Sequence, residues 1–199
     1  MNDWIEPIAE LYVRRAEIES DIKDHMPRLK VLVERLMPIN IIELGTRQGY
    51  STVAFLTAIR TRPHAHLYSV DLEPVYGEME PWVDQIDQWT FIQGSDIPYP
   101  KGLPKFADMI FIDTSHHLDH TRQEITTYAE HISEDGIMLF HDTAEWRGFG
   151  VHQAITEWLV GNMKWKAYFW EDSNGLGLLY HRRDEVKIES IIGKINGNL

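Results

Sequence analysis

The stretch Ile41-Ile42-Glu43-Leu44-Gly45-Thr46-Arg47-Gln48-Gly49-Tyr50-Ser51 constrains the fold more than any other part of the chain. A mostly apolar run, Ile39 to Ile42 with Asn40 inside it, leads to an acid and a glycine. A second glycine follows four residues later, then a helix-like segment, Ser51–Ile59. A second apolar run, Leu67-Tyr68-Ser69-Val70, closes on Asp71, twenty residues after Ser51. Strand, glycine turn, helix, strand, acid is the outline of a nucleoside-binding βαβ unit. The glycines let backbone approach a ligand where a Cβ would collide. The helix start offers unpaired N–H groups, and the acid can accept from ribose hydroxyls.

The turn is not built for a pyrophosphate. The dinucleotide fingerprint needs three glycines spaced G-x-G-x-x-G. Here the spacing is Gly45-x-x-x-Gly49, with Glu43 two residues ahead, where an acid repels phosphate and suits a cation. The acid-x-Gly-x-x-x-Gly pattern resembles the first motif of class I S-adenosylmethionine-dependent methyltransferases, whose cofactor carries a ribose, an ammonium and a sulfonium but no phosphate. The resemblance implies that Glu43, Gly45, Thr46, Gly49, Tyr50 and Ser51 serve the methionine moiety and that Asp71 binds the ribose. Ser95-Asp96 is similar to the adenine-contacting turn, with Asp96 accepting from the amine, and Asp113 joins the cofactor set. Two other readings compete. A nicotinamide-dependent oxidoreductase lacks its third glycine here, and a non-catalytic cofactor-binding module would have no use for the histidines described below.

Composition removes several classes of function. The net charge of -12 argues against nucleic acid or an anionic membrane as partner. No cysteine is present, which excludes disulfides, thiolate zinc sites and cysteine nucleophiles. The start, Met1 to Glu6, is unlike a signal peptide, and no apolar run approaches the 18 or so residues of a membrane span. A cytoplasmic location is the default expectation.

Residues 1–38 read as a helical extension or lid ahead of a Rossmann-like unit over 39–199, the whole forming one domain. Leu29, Leu32, Val33 and Leu36 recur at helix spacing, Pro27 suits a first turn, and Pro38 ends the helix. Five short apolar runs follow: Ile39–Leu44, His66–Val70, Thr90–Ile92, Ala107–Ile112 and Gly136–Phe140. Such runs predict parallel strands buried on both faces. Helices are expected over Ser51–Ile59, Pro81–Gln88, Leu118–Ile132 and Gly148–Gly161. Trp165–Trp170 and Gly175–Tyr180 flank an Asn174-Gly175 turn signal and predict an antiparallel hairpin. Asn196–Leu199 reads as a frayed end. The fold class is therefore α/β: a doubly wound, mostly parallel sheet closed by an antiparallel hairpin, as in class I methyltransferases.

Ligands of open α/β sheets bind outside the carboxyl ends of the strands. All five expected ends are polar and carry an acid: Glu43, Asp71, Asp96, Asp113 and Asp142. Of ten histidines, five (His116, His117, His120, His131 and His141) fall within 26 residues. His117 is expected to be structural or exposed, and His120 and His131 to lie on the solvated face of a helix. His116 and His141 stand near Asp113 and Asp142, a set able to bind a divalent metal or to form a base with its orienting acid.

Phe111-Ile112-Asp113-Thr114-Ser115-His116 and Gly136-Ile137-Met138-Leu139-Phe140-His141-Asp142 resemble, more narrowly, the small-molecule and sugar O-methyltransferase group. That resemblance implies methyl transfer to a small-molecule hydroxyl. His116, His141 and Asp142 are the catalytic candidates. Asp113 and Asp142 are the candidate ligands of Mg2+ or another divalent cation. Thr143 departs from the pattern, standing where magnesium-using relatives carry a second acid or an amide. Tyr76, Trp146 and Phe149 are candidates for an aromatic acceptor pocket. An exposed N-terminal helix would leave room for a homo-oligomer.

Overall fold

Ile41 and Ile42 are neighbours in the first strand and both are fully buried, but in different cores. This alternation runs through the sheet and sets its two helical layers. The computed structural model describes residues 3–198, without the side chain of Asn198. Met1, Asn2 and Leu199, at the ends of the expected acidic start and frayed tail, fall outside the described residues.

The strands are β1 (Asn40–Leu44), β2 (His66–Asp71), β3 (Trp89–Gln93), β4 (Ala107–Ile112), β5 (Ile132–His141), β6 (Trp165–Trp170) and β7 (Leu176–His181). They form one sheet in the order β3-β2-β1-β4-β5-β7-β6. β1 to β5 run parallel, and β7 lies antiparallel between β5 and β6. The helices are α1 (Ile5–Glu17), α2 (Met26–Leu36), α3 (Tyr50–Ile59), α4 (Leu118–Ala129), α5 (Val151–Gly161) and α6 (Glu185–Asn198).

Ile41, Leu67, Phe111, Leu139 and Leu178 meet α1, α2, α3 and α6 on one face. Ile42, Val70, Ile110, Phe140 and Leu179 meet α4 and α5 on the other. Every residue of α3 from Ser51 to Ile59 is buried, because α1 and α2 cover the side turned away from the sheet. Strand order reverses between β1 and β4, so their carboxyl ends open the crevice where a ligand enters. No helix among the described residues is long and apolar enough to cross a membrane.

The expected strands and hairpin are present, and three local expectations are corrected. Pro81–Gln88 does not form an α-helix; a 3-10 helix spans Gly77–Trp82, with Pro81 inside it, where the missing N–H forbids a continued ladder. The helix expected over Leu118–Ile132 stops at Ala129, and Ile132 opens β5. β5 therefore starts four residues before the expected Gly136, and its pairing with β4 shifts register between Ala107 and Met109. The helix α6 was not anticipated, although Ile188, Ile191, Ile192 and Ile195 form a buried stripe at helix spacing. Asn196 to Asn198 belong to it.

Candidate active site

The glycine turn is held from two sides. Gly45 takes φ +87, and a Cβ there would lie 2.0 Å from the carbonyl oxygen of Asp113. Gly49 takes φ +74 and stands at the N-cap of α3. Between them Arg47 adopts φ +47. The backbone amides of Thr46 and Arg47 both donate to Asp71 Oδ2, at 2.7 and 2.9 Å. The amide of Glu73 donates to Asp71 Oδ1 at 3.0 Å. Asp71 thus pins the loop to the end of β2. A carboxylate accepts about four hydrogen bonds, which leaves it one acceptor direction toward the cleft.

Glu43 lies beneath the turn rather than on the wall of a cavity. It is fully buried and accepts from Thr52 Oγ1 at 2.8 Å and from Ser69 Oγ, which in turn accepts from Trp89 Nε1 at 2.9 Å. Burial pushes Glu43 up to about 7, against the opposing pull of the Ser51, Ser69 and Thr52 hydroxyls. Its Oε1 receives no well-directed hydrogen bond among the described residues.

Two cavities meet at Gly45, Arg47 and Asp113. The narrower, about 190 Å3, lies between Thr46, Tyr50 and Ser51 on one side and Glu19 to Ile22 on the other. The wider, about 480 Å3, is lined by Asp71, Leu72, Ser95, Asp96, Ser115 and His120. Together they give one elongated cleft over the β1–β4 crevice. Thr46 Oγ1 and Ser115 Oγ are buried along it without a partner among the described residues, and a buried hydroxyl left unpaired costs about 1–3 kcal/mol. Leu72 is an exposed apolar residue at the rim of the wider part.

The segment before α2 closes the narrow end. Arg47 Nη1 lies 3.6 Å from Asp21 Oδ2. Arg28 Nη1 and Nη2, in the first turn of α2, clamp Asp172 at 2.9 and 2.6 Å and tie that helix to the β6–β7 turn. His25 is buried and receives the Arg28 Nη1 donor on Nδ1 at 2.8 Å, with no partner on Nε2 among the described residues. Burial, then the charge of His141, push it down to about 3. It is therefore neutral.

At the ends of β4 and β5, two carboxylates meet two imidazoles. His116 Nδ1 lies 2.9 Å from Asp142 Oδ2. His141 Nδ1 lies 3.2 Å from Asp113 Oδ1 and 3.1 Å from Asp142 Oδ2, and its Nε2 lies 3.2 Å from the carbonyl of Asp21. Both nitrogens of His141 thus face acceptors, which suits the doubly protonated ring. Burial pushes its pKa down, and Asp113 and Asp142 more than reverse that, holding it well above the ordinary value. Burial pushes Asp142 up, but the two histidines hold it below the usual carboxylate range.

His116 is raised by Asp142; its ring stands edge-on to Phe149 at 4.6 Å and is about one-third exposed. Asp142 adopts φ +58, a strained setting of the kind found at functional sites. Its buried Oδ2 lies against both histidines, and among the described residues neither of its oxygens receives a well-directed hydrogen bond. Thr143 is buried, with Oγ1 turned to the backbone at Gly175.

The structure brings His116, His141, Asp113 and Asp142 together, and Gly45, Thr46, Tyr50, Ser51, Asp71, Ser95 and Asp96 along the cleft. Tyr76 and Trp146 are exposed and line neither cavity. His120 is not a solvated helix residue: Nε2 lies 2.9 Å from Asp96 Oδ2. Asp21, His25, Leu72 and Glu124 are not among the residues expected at the site. Of these only Leu72 carried a signal, by its place directly after Asp71.

The sheet order, the glycine turn and the strand-end acids define a class I S-adenosylmethionine-dependent methyltransferase. The chain belongs to the family described as a methyltransferase domain, whose model matches residues 42–143. The sequence matches no curated protein. Among solved structures it is similar to the SAH-bound methyltransferase PaMTH1 of Podospora anserina (18% identity, 90% of this chain, 88% of that one, TM-score 0.64). It is similar to the O-methyltransferase TomG of Streptomyces achromogenes, involved in tomaymycin synthesis and in complex with SAM (15%, 90% and 89%, 0.67). An O-methyltransferase of Bacillus cereus in complex with SAH also shares the fold (13%, 89% and 90%, 0.62).

Proposed function

We propose that this protein transfers the methyl group of S-adenosylmethionine to a hydroxyl oxygen of a small molecule, with His116 as the general base. The observation that carries this is the pairing of His116 Nδ1 with the buried Asp142 at 2.9 Å, while Nε2 makes no hydrogen bond among the described residues and the ring stands beside Phe149. The methionine end of the cofactor fits the narrow cavity under Glu19 to Ile22, and its adenosine fits the wider one. The unpaired hydroxyls of Thr46 and Ser115 and the Cβ-free cradle at Gly45 support that fit.

The chemistry is an in-line displacement. The acceptor oxygen forms a bond to the methyl carbon, the carbon–sulfur bond breaks, and the sulfonium leaves as a neutral thioether. The proton of the hydroxyl passes to His116 Nε2 while Asp142 balances the imidazolium. Alignment supplies up to about 7–11 kcal/mol of the barrier, and the base roughly 10²–10⁴-fold. The 19–22 segment lines the narrow end, and its Asp21 carbonyl lies 3.2 Å from His141 Nε2.

A divalent cation is a second reading, favoured by the buried Asp142 oxygens that lack directed donors. Asp113, Asp142 and His141 place one ligand atom each within 4.8 Å of one another and would hold it. Bound there, it would lower the pKa of an acceptor hydroxyl. The test is turnover before and after chelation, together with His116→Ala. Activity that survives chelation removes the metal, and full activity in His116→Ala removes the base.

A further inference from the structure

Asp96 is held by a group that the methyl-transfer chemistry does not use. Its residue is buried at the floor of the wider cavity, its carbonyl accepts from Tyr128 Oη at 2.8 Å, and its Oδ2 lies 2.9 Å from His120 Nε2. Its Oδ1 is not sealed from the cleft, and the carboxyl of Glu124 lies within hydrogen-bond reach of the same carboxylate. Behind them Glu124 is completely buried; it accepts from Thr114 Oγ1, and its Oε1 lies 3.6 Å from His120 Nε2. Burial pushes Glu124 up to about 9. At neutral pH Glu124 is therefore a carboxylic acid.

We propose that His120 is a specificity-determining residue for the purine: by donating to Asp96 Oδ2 it turns the other carboxylate oxygen toward an exocyclic amine. This rests on reading the wider cavity as the adenosine site. A fixed carboxylate accepts from the 6-amine of adenine and repels a 6-carbonyl. A carboxylate free to rotate, or able to take up a proton, discriminates less. His120 acts through Asp96 and does not touch the reacting atoms, so it is a positioning residue and its loss moves cofactor selection rather than the chemical step.

The test uses the whole protein, calorimetry, and two probes: S-adenosylhomocysteine and its deaminated analogue, S-inosylhomocysteine. The wild-type protein is expected to prefer the adenosyl compound by about 10-fold or more, the ratio set by one hydrogen bond to a charged acceptor. His120→Ala is expected to bring the ratio toward unity, and His120→Gln, which keeps an N–H donor, to restore part of it. His120 is partly exposed on the first turn of α4, so the alanine variant should fold. If it does not, His120→Leu keeps apolar volume and deletes only the donor.

Wild-type discrimination that persists undiminished in the donor-less variant overturns the inference. So does a wild-type protein that binds both probes equally. A wild-type protein that binds neither probe overturns instead the assignment of the cleft to the cofactor.

Discussion

At the β4–β5 end of the cleft two carboxylates, Asp113 and Asp142, meet two imidazoles, His116 and His141. At the β3–α4 end two carboxyl groups, Asp96 and Glu124, meet one imidazole, His120. The parts are the same and the ratio differs, and the ratio decides the charges. Where imidazoles match acids, Asp142 is held ionised and His141 protonated despite burial. Where one imidazole serves two acids, the deeper acid keeps its proton. A buried charge survives only when paired. On the proposed mechanism the first cluster moves a proton, and on the inference above the second holds a shape.

The largest expected effect breaks the first cluster. His116→Ala should lower kcat by roughly 10²–10⁴-fold and leave the affinity for S-adenosylhomocysteine unchanged. The same variant should lose the rise of rate with pH through the His116 titration, which Asp142 places above the ordinary histidine value. Steady-state kinetics across pH, with calorimetry of the cofactor product, checks both statements. The equivalent change in the second cluster, at His120, should leave kcat largely intact.

Asp142→Asn comes next. Asparagine tolerates the left-handed backbone at φ +58, so the change isolates charge from conformation. It leaves two imidazoles around a neutral amide, and removing one partner of a buried pair costs about 3–5 kcal/mol. Urea unfolding should show that loss.

Much of this architecture was legible in the residues. The Glu43 to Ser51 turn, the twenty-residue step to Asp71 and the alternating apolar runs gave sheet and crevice, because strands buried on two faces leave an unmistakable composition. The hairpin was readable from Asn174-Gly175. The rest failed where contacts are long-range. Asp21 reaches His141 across 120 residues through a backbone carbonyl, which no side-chain pattern announces. Glu124 lies inside α4 with nothing in its neighbouring residues to set it apart, and it is fully buried with Thr114 donating to it. Glu43 was assigned to the ligand because of its position before the glycine. The pleat instead aims it at Thr52 and Ser69 under the turn.

Glu124→Gln sharpens the second half of the comparison. The folded-state pKa of Glu124, about 9, lies above its ordinary 4.5, so the fold prefers the neutral acid. Its contribution is whole below about pH 4.5 and is lost as pH rises through about 9. The glutamine variant has nothing to ionise. It should match the wild-type protein near pH 5 and exceed it in stability near pH 9 by on the order of a few kcal/mol. Parallel thermal unfolding at those two pH values reads the difference, and identical pH slopes would count against a proton on Glu124.

The smallest effect tests the same proton from the other side. Thr114 donates its hydroxyl to Glu124 Oε1. A hydrogen bond between neutral groups contributes about 0.5–1.5 kcal/mol, and one to a charged acceptor about 1.5–3. Thr114→Val keeps the volume and deletes the donor, so its cost measures the charge on the acceptor. At pH 7 the cost should fall in the lower range, and it should grow toward the upper one as Glu124 ionises above about 9. A high, pH-independent cost would mean that Glu124 is already ionised at neutrality, and the contrast between the clusters would then have to come from something other than the number of imidazoles.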